Sequence, residues 1–244
     1  MKYLVCISKT PDTTTKIAFN ADNTQFNSAG VTYIMNPYDE WYALVRACEL
    51  KEKQGGSVTA ICVGGADTEQ IIRKALAIGA DNAIRVDAHP TNAYFVAKQI
   101  AANAADYDIV FLGKETIEYN GSEVGSTLSE LLDAPFISYA TSLELDGNTA
   151  TIEREIEGGN EVLDVATPFV LSAAKGMAEQ RIPNMIGIMK AKSKPLTVVA
   201  PIDVEELVAQ VNLIMPPAKT GVKMVDADNI AELVRLLHEE AKVI

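Results

Sequence analysis

Short apolar runs alternate with amphipathic stretches through the first 135 residues. Tyr3 to Ile7, Val58 to Val63, Asn82 to Val86 and Asp108 to Leu112 are nearly continuous apolar runs, the pattern of strands buried on both faces. Between them the period lengthens to that of a helix. Trp41, Leu44, Val45 and Cys48 make one stripe, Ile71, Ile72, Ala75 and Leu76 a second, and an Ala-rich helix is predicted over 92–105. Asn36 reads as the N-cap of the first helix and Pro37 as its first residue; Asp39 and Glu40 suit the positive end of the dipole, and Lys51 and Lys53 the other end, before Gly55-Gly56 stop it. Residues 13–34 are polar and predict a small hairpin or loop. Strand–helix units of this length predict an α/β domain with a mostly parallel, doubly wound sheet.

Past Pro135 the pattern changes. Ala140 to Leu145, the turn Asp146-Gly147-Asn148 and Thr149 to Ile156 predict an inserted antiparallel hairpin, and Gly158-Gly159 turns the chain into a third strand, Glu161 to Ala166. Phe169 to Ser172 reads as a return to the central sheet. From Arg181 the chain is rich in methionine and lysine, then punctuated by Pro195, Pro201, Pro216 and Pro217. A terminal helix is predicted over 228–242, with Ile230, Leu233, Val234 and Leu237 on one face. These signals divide the chain into an α/β domain, 1–183, and a segment with an extended C-terminal arm, 184–244. Such an arm packs on its own domain or wraps a partner.

The stretch 106–132, DYDIVFLGKETIEYNGSEVGSTLSELL, carries the candidate chemistry. A buried strand ends at Gly113, a polar loop follows, and a helix begins with Ser122 as a plausible N-cap. Gly121 and Gly125 let a ligand approach the backbone. Ligands of open α/β sheets sit beyond the carboxyl ends of strands, and a helix N-terminus offers N–H groups to a phosphate. A nucleotide or other anion is expected here, although an ordinary βα turn reads the same way on its own.

Composition narrows the classes. The net charge of −12 argues against nonspecific binding to nucleic acid or an anionic membrane surface. No run of ~18 apolar residues suits a membrane span, and MKYLVCISK is too short and lightly charged for a signal peptide. Cys6, Cys48 and Cys62 form no CxxC pattern, so they read as small buried hydrophobes in a reduced, cytoplasmic protein. With only His89 and His238, far apart, a zinc site or His-based triad is not expected.

Several stretches in order resemble the beta subunit of electron transfer flavoproteins: LVCISKTPD at 4–12, MNPYDEWYALVRACELKE at 35–52, ALAIGAD at 75–81, LGKETI at 112–117 and GIMKAKSKP at 187–195. The most specific is IEREIEGGNEVLDVATPFVLS at 152–172, which fits the family's hairpin signature at Arg154, Glu157, Gly158, Gly159, Glu161 and Pro168 and departs only at Ser172. The resemblance implies an adenine nucleotide alpha hydrolase-like fold and a heterodimer. The alpha subunit would carry the redox-active FAD and this chain a structural AMP, or a second FAD in electron-bifurcating members with NADH as donor. Electrons would pass from an acyl-CoA dehydrogenase or similar donor, as in fatty acid beta-oxidation, to a membrane quinone reductase or ferredoxin. No side chain need act as acid, base or nucleophile.

By the same resemblance the nucleotide contacts fall on Cys6, Ser8, Asn36 and Val63 and on the loop Asn120, Gly121, Ser122, Glu123, Val124, Gly125 and Ser126. That loop departs from both family patterns. AMP-binding members have an Asp-rich run and then Asn-Gln-Thr-Gly; here Glu118-Tyr119-Asn120-Gly121 and Ser122-Glu123-Val124-Gly125 stand instead. Val124-Gly125 is similar to the bifurcating pattern, whose acid and Thr are here Asn120 and Gly121. Glu123 suits the helix dipole but competes with a phosphate for the same N–H groups. AMP, FAD and an empty site therefore stay open. Residues 184–192 resemble the family's partner-recognition loop, with Met185 as apolar anchor beside Ile186, and with Lys190, Lys192 and Lys194 as steering charge. Arg154 and Glu157 are expected to form a structural ion pair. A stand-alone adenine-nucleotide binder of the stress-protein type would lack the hairpin signature and the GIMKAK loop. A ligase on the same core needs a glycine motif like SGGxDS, and none occurs.

Overall fold

The computed structural model describes residues 1–117, 119–219 and 221–244. The first half runs β1 (Lys2–Cys6), β2 (Lys9–Pro11), β3 (Tyr33–Met35), α1 (Asp39–Gln54), β4 (Ser57–Val63), α2 (Glu69–Ile78), β5 (Asn82–Val86), α3 (Ala93–Ala101), β6 (Ile109–Gly113) and α4 (Val124–Leu131). The second runs β7 (Phe136–Asp146), β8 (Thr149–Ile156), β9 (Gly159–Ala166), β10 (Phe169–Ala173), α5 (Met185–Ala191), β11 (Leu196–Val199) and α6 (Ile230–Arg235), which passes into a π-helical stretch, Leu236–Ala241.

The main sheet has nine strands in the order β11-β5-β4-β1-β6-β10-β7-β8-β9, parallel except for the β7-β8-β9 meander. Side chains along β1 alternate between its faces: Tyr3 and Val5 join the core beneath α1 and α2, while Leu4 and Cys6 join the core beneath α3 and α4. That two-sided burial explains why these strands read as continuous apolar runs. Tyr3 packs edge-on against Phe111, with ring centroids 6.2 Å apart. The chain builds outward from β1 through β4 and β5 and then crosses back to β6 on the other side of β1. The carboxyl ends of β1 and β6 therefore flank a topological switch point.

Several local expectations are corrected. α1 begins at Asp39 with Tyr38 at its cap; the Asn36 side chain is instead drawn to the loop after β6, where its Nδ2 donates to Glu115 O at 2.8 Å. Ser122 does not cap α4, because its backbone has the left-handed φ of 53° rather than the extended form a cap needs. Glu123 holds the cap position without a side-chain bond. Arg154 pairs with Glu161, Nε to Oε2 at 2.6 Å, and not with Glu157. The β8–β9 register sets Arg154 opposite Glu161, whereas Glu157 falls in the turn.

The polar stretch 13–34 is an excursion closed by β2 pairing with β3 and by a lone Phe19–Phe26 bridge. The hairpin is continuous with the main sheet, since β7 pairs parallel with β10 and then, past a bulge, antiparallel with β8. Residues 185–199 also return to this sheet: α5 packs on α2, and β11 pairs with β5.

Candidate functional site

At the switch point the first turn of α1 presses on the end of β6. A Cβ at Gly113 would lie 2.8 Å from Glu40 N and 2.9 Å from its Cγ, so only glycine allows this approach. The pressure delivers a buried carboxylate to the end of β1. The Ser8 amide donates to Glu40 Oε2 at 2.7 Å and the Ser8 hydroxyl to Oε1 at 2.6 Å. Burial first, and the Glu40 charge second, push both nearby thiols up: Cys6 far above its ordinary value and Cys62 to about 12. Neither thiol is a nucleophile at neutral pH.

Beside Glu40 opens a cleft of about 230 Å³ that includes Asn36, Asp39, Tyr42, Lys114, Asn120 and Lys175. Asn36 is only 1% exposed. Its amide nitrogen is bonded to Glu115 O, but its Oδ1 is buried with no partner. Lys114 pairs with Glu115 at 3.0 Å and lies over the Tyr139 ring. The Glu115 hydrogen bond raises the lysine's pKa, while burial raises that of Asp39.

The loop from β6 to α4 makes two left-handed turns, at Asn120 and Ser122. Asparagine takes this conformation readily and serine less so. Within α4, the first bond runs from Thr127 N–H to Glu123 O at 3.1 Å, so the Val124, Gly125 and Ser126 amides precede it at the positive end of the helix. Ser126 Oγ donates to Glu123 O, and the Glu123 side chain points to solvent. Of the two glycines, Gly121 faces the Glu123 side chain at ordinary contact distance, 3.8 Å from where a Cβ would stand. Gly125 instead admits the Phe136 ring, 2.8 Å from where a Cβ would stand. Glu118 lies outside the described residues.

Asn36 and Asn120 thus share one cleft, and Ser8 and Cys6 adjoin it through Glu40. Val63 ends β4, one strand beyond β1, and is not among the described residues that line the cleft. Sequence reasoning missed Lys175 and the Ser8 bond to Glu40, which had been read only as a dipole partner. For Lys114 the signal was its place directly after a strand-ending glycine.

A second surface lies on α5. Asn184 caps this helix, accepting from Gly187 N–H at 2.8 Å. Met185 is 73% exposed, Ile186, Ile188 and Met189 stand out beside it, and Ile182, not anticipated, is 83% exposed. Lys190 and Lys192 reach solvent. Lys194 does not supply steering charge: its ammonium donates to Leu76 O at 2.8 Å and Ala80 O at 2.5 Å.

The profile of the electron transfer flavoprotein domain matches residues 24–204. The electron transfer flavoprotein subunit beta of Bacillus subtilis (strain 168) is 36% identical over 260 residues, covering all of both chains. The chain belongs to the electron transfer flavoprotein beta-subunit family. The human electron transfer flavoprotein subunit beta is 33% identical, over 100% of this chain and 99% of its own. The acryloyl-CoA reductase electron transfer subunit gamma of Anaerotignum propionicum is 31% identical, over 81% of this chain and 77% of its own.

A beta subunit of an electron transfer flavoprotein implies an alpha subunit, and the rest of the chain suits an assembly. Beyond β11 the arm carries exposed Leu207, Val211, Ile214 and Met224, and α6 buries none of its residues despite its apolar stripe. Among the described residues, no cluster of His, Cys, Asp and Glu could hold a metal ion, and no helix is long and apolar enough to cross a membrane.

Proposed function

We propose that this chain pairs with an alpha subunit carrying FAD and holds a structural AMP in the crevice at the switch point. The heterodimer passes electrons from an acyl-CoA dehydrogenase-type donor, in fatty acid beta-oxidation, to a quinone reductase or ferredoxin-like acceptor in the cytoplasm. FAD supplies the redox chemistry; this chain's residues bind, orient and dock.

The observation that carries the reading is the Asn36 Oδ1. A buried acceptor without a partner costs about 1–3 kcal/mol, and a ribose hydroxyl or adenine amino group donating to it removes that cost. The amides of Val124, Gly125 and Ser126, with the Ser122 hydroxyl, suit the phosphate, and the Ser126 hydroxyl joins them by turning away from Glu123 O. Asn120 and Gly121 shape the wall between, and Cys6 adjoins the crevice at the end of β1; Val63, one strand further along the sheet, is assigned to it by the family resemblance alone. Ser8 contributes shape rather than donors, because Glu40 already takes both of them. Glu123 is compatible with a phosphate only while its side chain stays in solvent. Met185, Ile186 and Lys190 meet the electron donor, and the arm embraces the alpha subunit.

A second reading, the bifurcating form with FAD in this crevice and NADH as donor, draws on Val124-Gly125. Denaturing the purified heterodimer and quantifying released FAD and AMP separates the two. One of each supports the AMP reading, and two FAD with no AMP support bifurcation. One FAD alone overturns the nucleotide assignment.

A further inference from the structure

The apolar face of α5 is useful to a partner only if it is presented in one pose, yet α5 is a single short helix of 7 residues. An isolated helix of that length is unstable in water. The surroundings show what holds it. α5 rides on the last turn of α2 so closely that a Cβ on Gly187 would stand 2.6 Å from Ala77 O, and Ala191 beneath it is 2% exposed.

The two helices also exchange cations at their carboxyl ends. From α2, Arg73 Nη1 donates to Ala191 O at 2.9 Å and to Lys194 O at 2.8 Å, and Glu69 steadies its other nitrogen at 3.2 Å. From just beyond α5, Lys194 donates to Leu76 O, an orphan carbonyl in the last turn of α2, and to Ala80 O just past that helix. Each helix is closed by a cation from the other. Burial lowers the Lys194 pKa, as desolvation among carbonyls does. At the other end of the segment Arg181 is held by the Trp41 indole, 3.2 Å to its carbonyl, and by a two-point pair with Glu52.

We propose that Arg73 and Lys194 are positioning residues for partner docking: their reciprocal clasp fixes α5 on α2 and so presents Met185, Ile186 and Met189 in a preorganised pose. This rests on the reading of α5 as the docking face. The clasp lowers the ordering cost that docking would otherwise incur. It acts without touching the partner, so its loss weakens association rather than electron transfer within a formed complex.

The test uses the intact heterodimer with an acyl-CoA dehydrogenase, reduced by its acyl-CoA, as the donor probe. Arg73→Met and Lys194→Met are each expected to raise the KM for the dehydrogenase about 10-fold with kcat unchanged, and to speed amide exchange across residues 185–191. Gly187→Ala, which lifts α5 without removing charge, moves both readouts the same way. Lys192→Met removes an exposed charge, so its effect fades at high salt while that of Arg73→Met persists. Lys194→Arg restores the low KM.

Met185→Ala separates the two claims. If it leaves KM unchanged, or if the wild-type heterodimer takes no electrons from the dehydrogenase, the docking reading falls and this inference with it. If Met185→Ala raises KM but the clasp variants speed exchange without raising KM, the docking reading stands and the clasp proposal is wrong.

Discussion

The body of the sheet and the C-terminal arm use the same kinds of residue to opposite ends. In the body, Tyr3, Phe111 and Phe169 are wholly buried at the centre of a two-faced sheet. In the arm, Val211, Ile214, Met224 and Ile230 stand in solvent, and scattered hydrogen bonds tie the described residues down, among them Ile202 to Gln99, Val208 to Asn92, Gln210 to Thr24 and Leu213 to Asn23. Apolar burial of about 25 cal/mol per Å² stabilises the body within the chain itself. On the proposed reading the arm's exposed apolar surface is instead one half of an interface, the usual meaning of large exposed patches. The body carries its own stability, while on that reading the arm's comes from the assembly.

Removing residues 204–244 should break that contrast most sharply. The chain is expected to lose co-elution with the alpha subunit on size exclusion while still melting cooperatively; retained association would place the interface elsewhere. In the body, Phe111→Ala should cost about 3–5 kcal/mol in urea unfolding, because it empties the contact with Tyr3 and leaves a cavity. A loss below that of a surface change would show that the centre repacks freely.

Asn36→Ala sits between these extremes. It is expected to weaken AMP binding about 10-fold by calorimetry and to lower the unfolding midpoint modestly, because loss of the Nδ2 bond to Glu115 O is partly offset by removal of an acceptor that has no partner without ligand. Unchanged affinity would detach Asn36 from the nucleotide.

The smallest effect concerns pH. Burial, then the Glu40 charge, raises the Cys62 thiol from its ordinary 9.0 to about 12. An acid raised in this way favours folding fully below its unfolded pKa, and that contribution is lost as pH climbs from about 9 toward 12. The melting midpoint should fall less steeply over this window in Cys62→Ala. Equal slopes would mean that the thiol is not shielded as described.

The parallel core was legible because two-faced burial writes itself as continuous apolar runs and helical stripes, and both survive without knowledge of neighbours. Runs such as 82–86 and 149–156 coincide with their strands, because each is bounded by turn residues that act locally. The candidate loop was legible for a similar reason: a strand, a glycine and a helix follow one another in the chain. What the sequence alone did not reveal were the choices made between distant segments. Asn36 reads as a cap until the β6 loop competes for its amide. Lys194 reads as surface charge until α2 offers it open carbonyls. Glu40 reads as a dipole partner until Gly113 lets α1 approach and hands its carboxylate to Ser8. Local propensity determined which elements form. Which polar group satisfies which depends on contacts between residues tens of positions apart, and only the tertiary structure decided them.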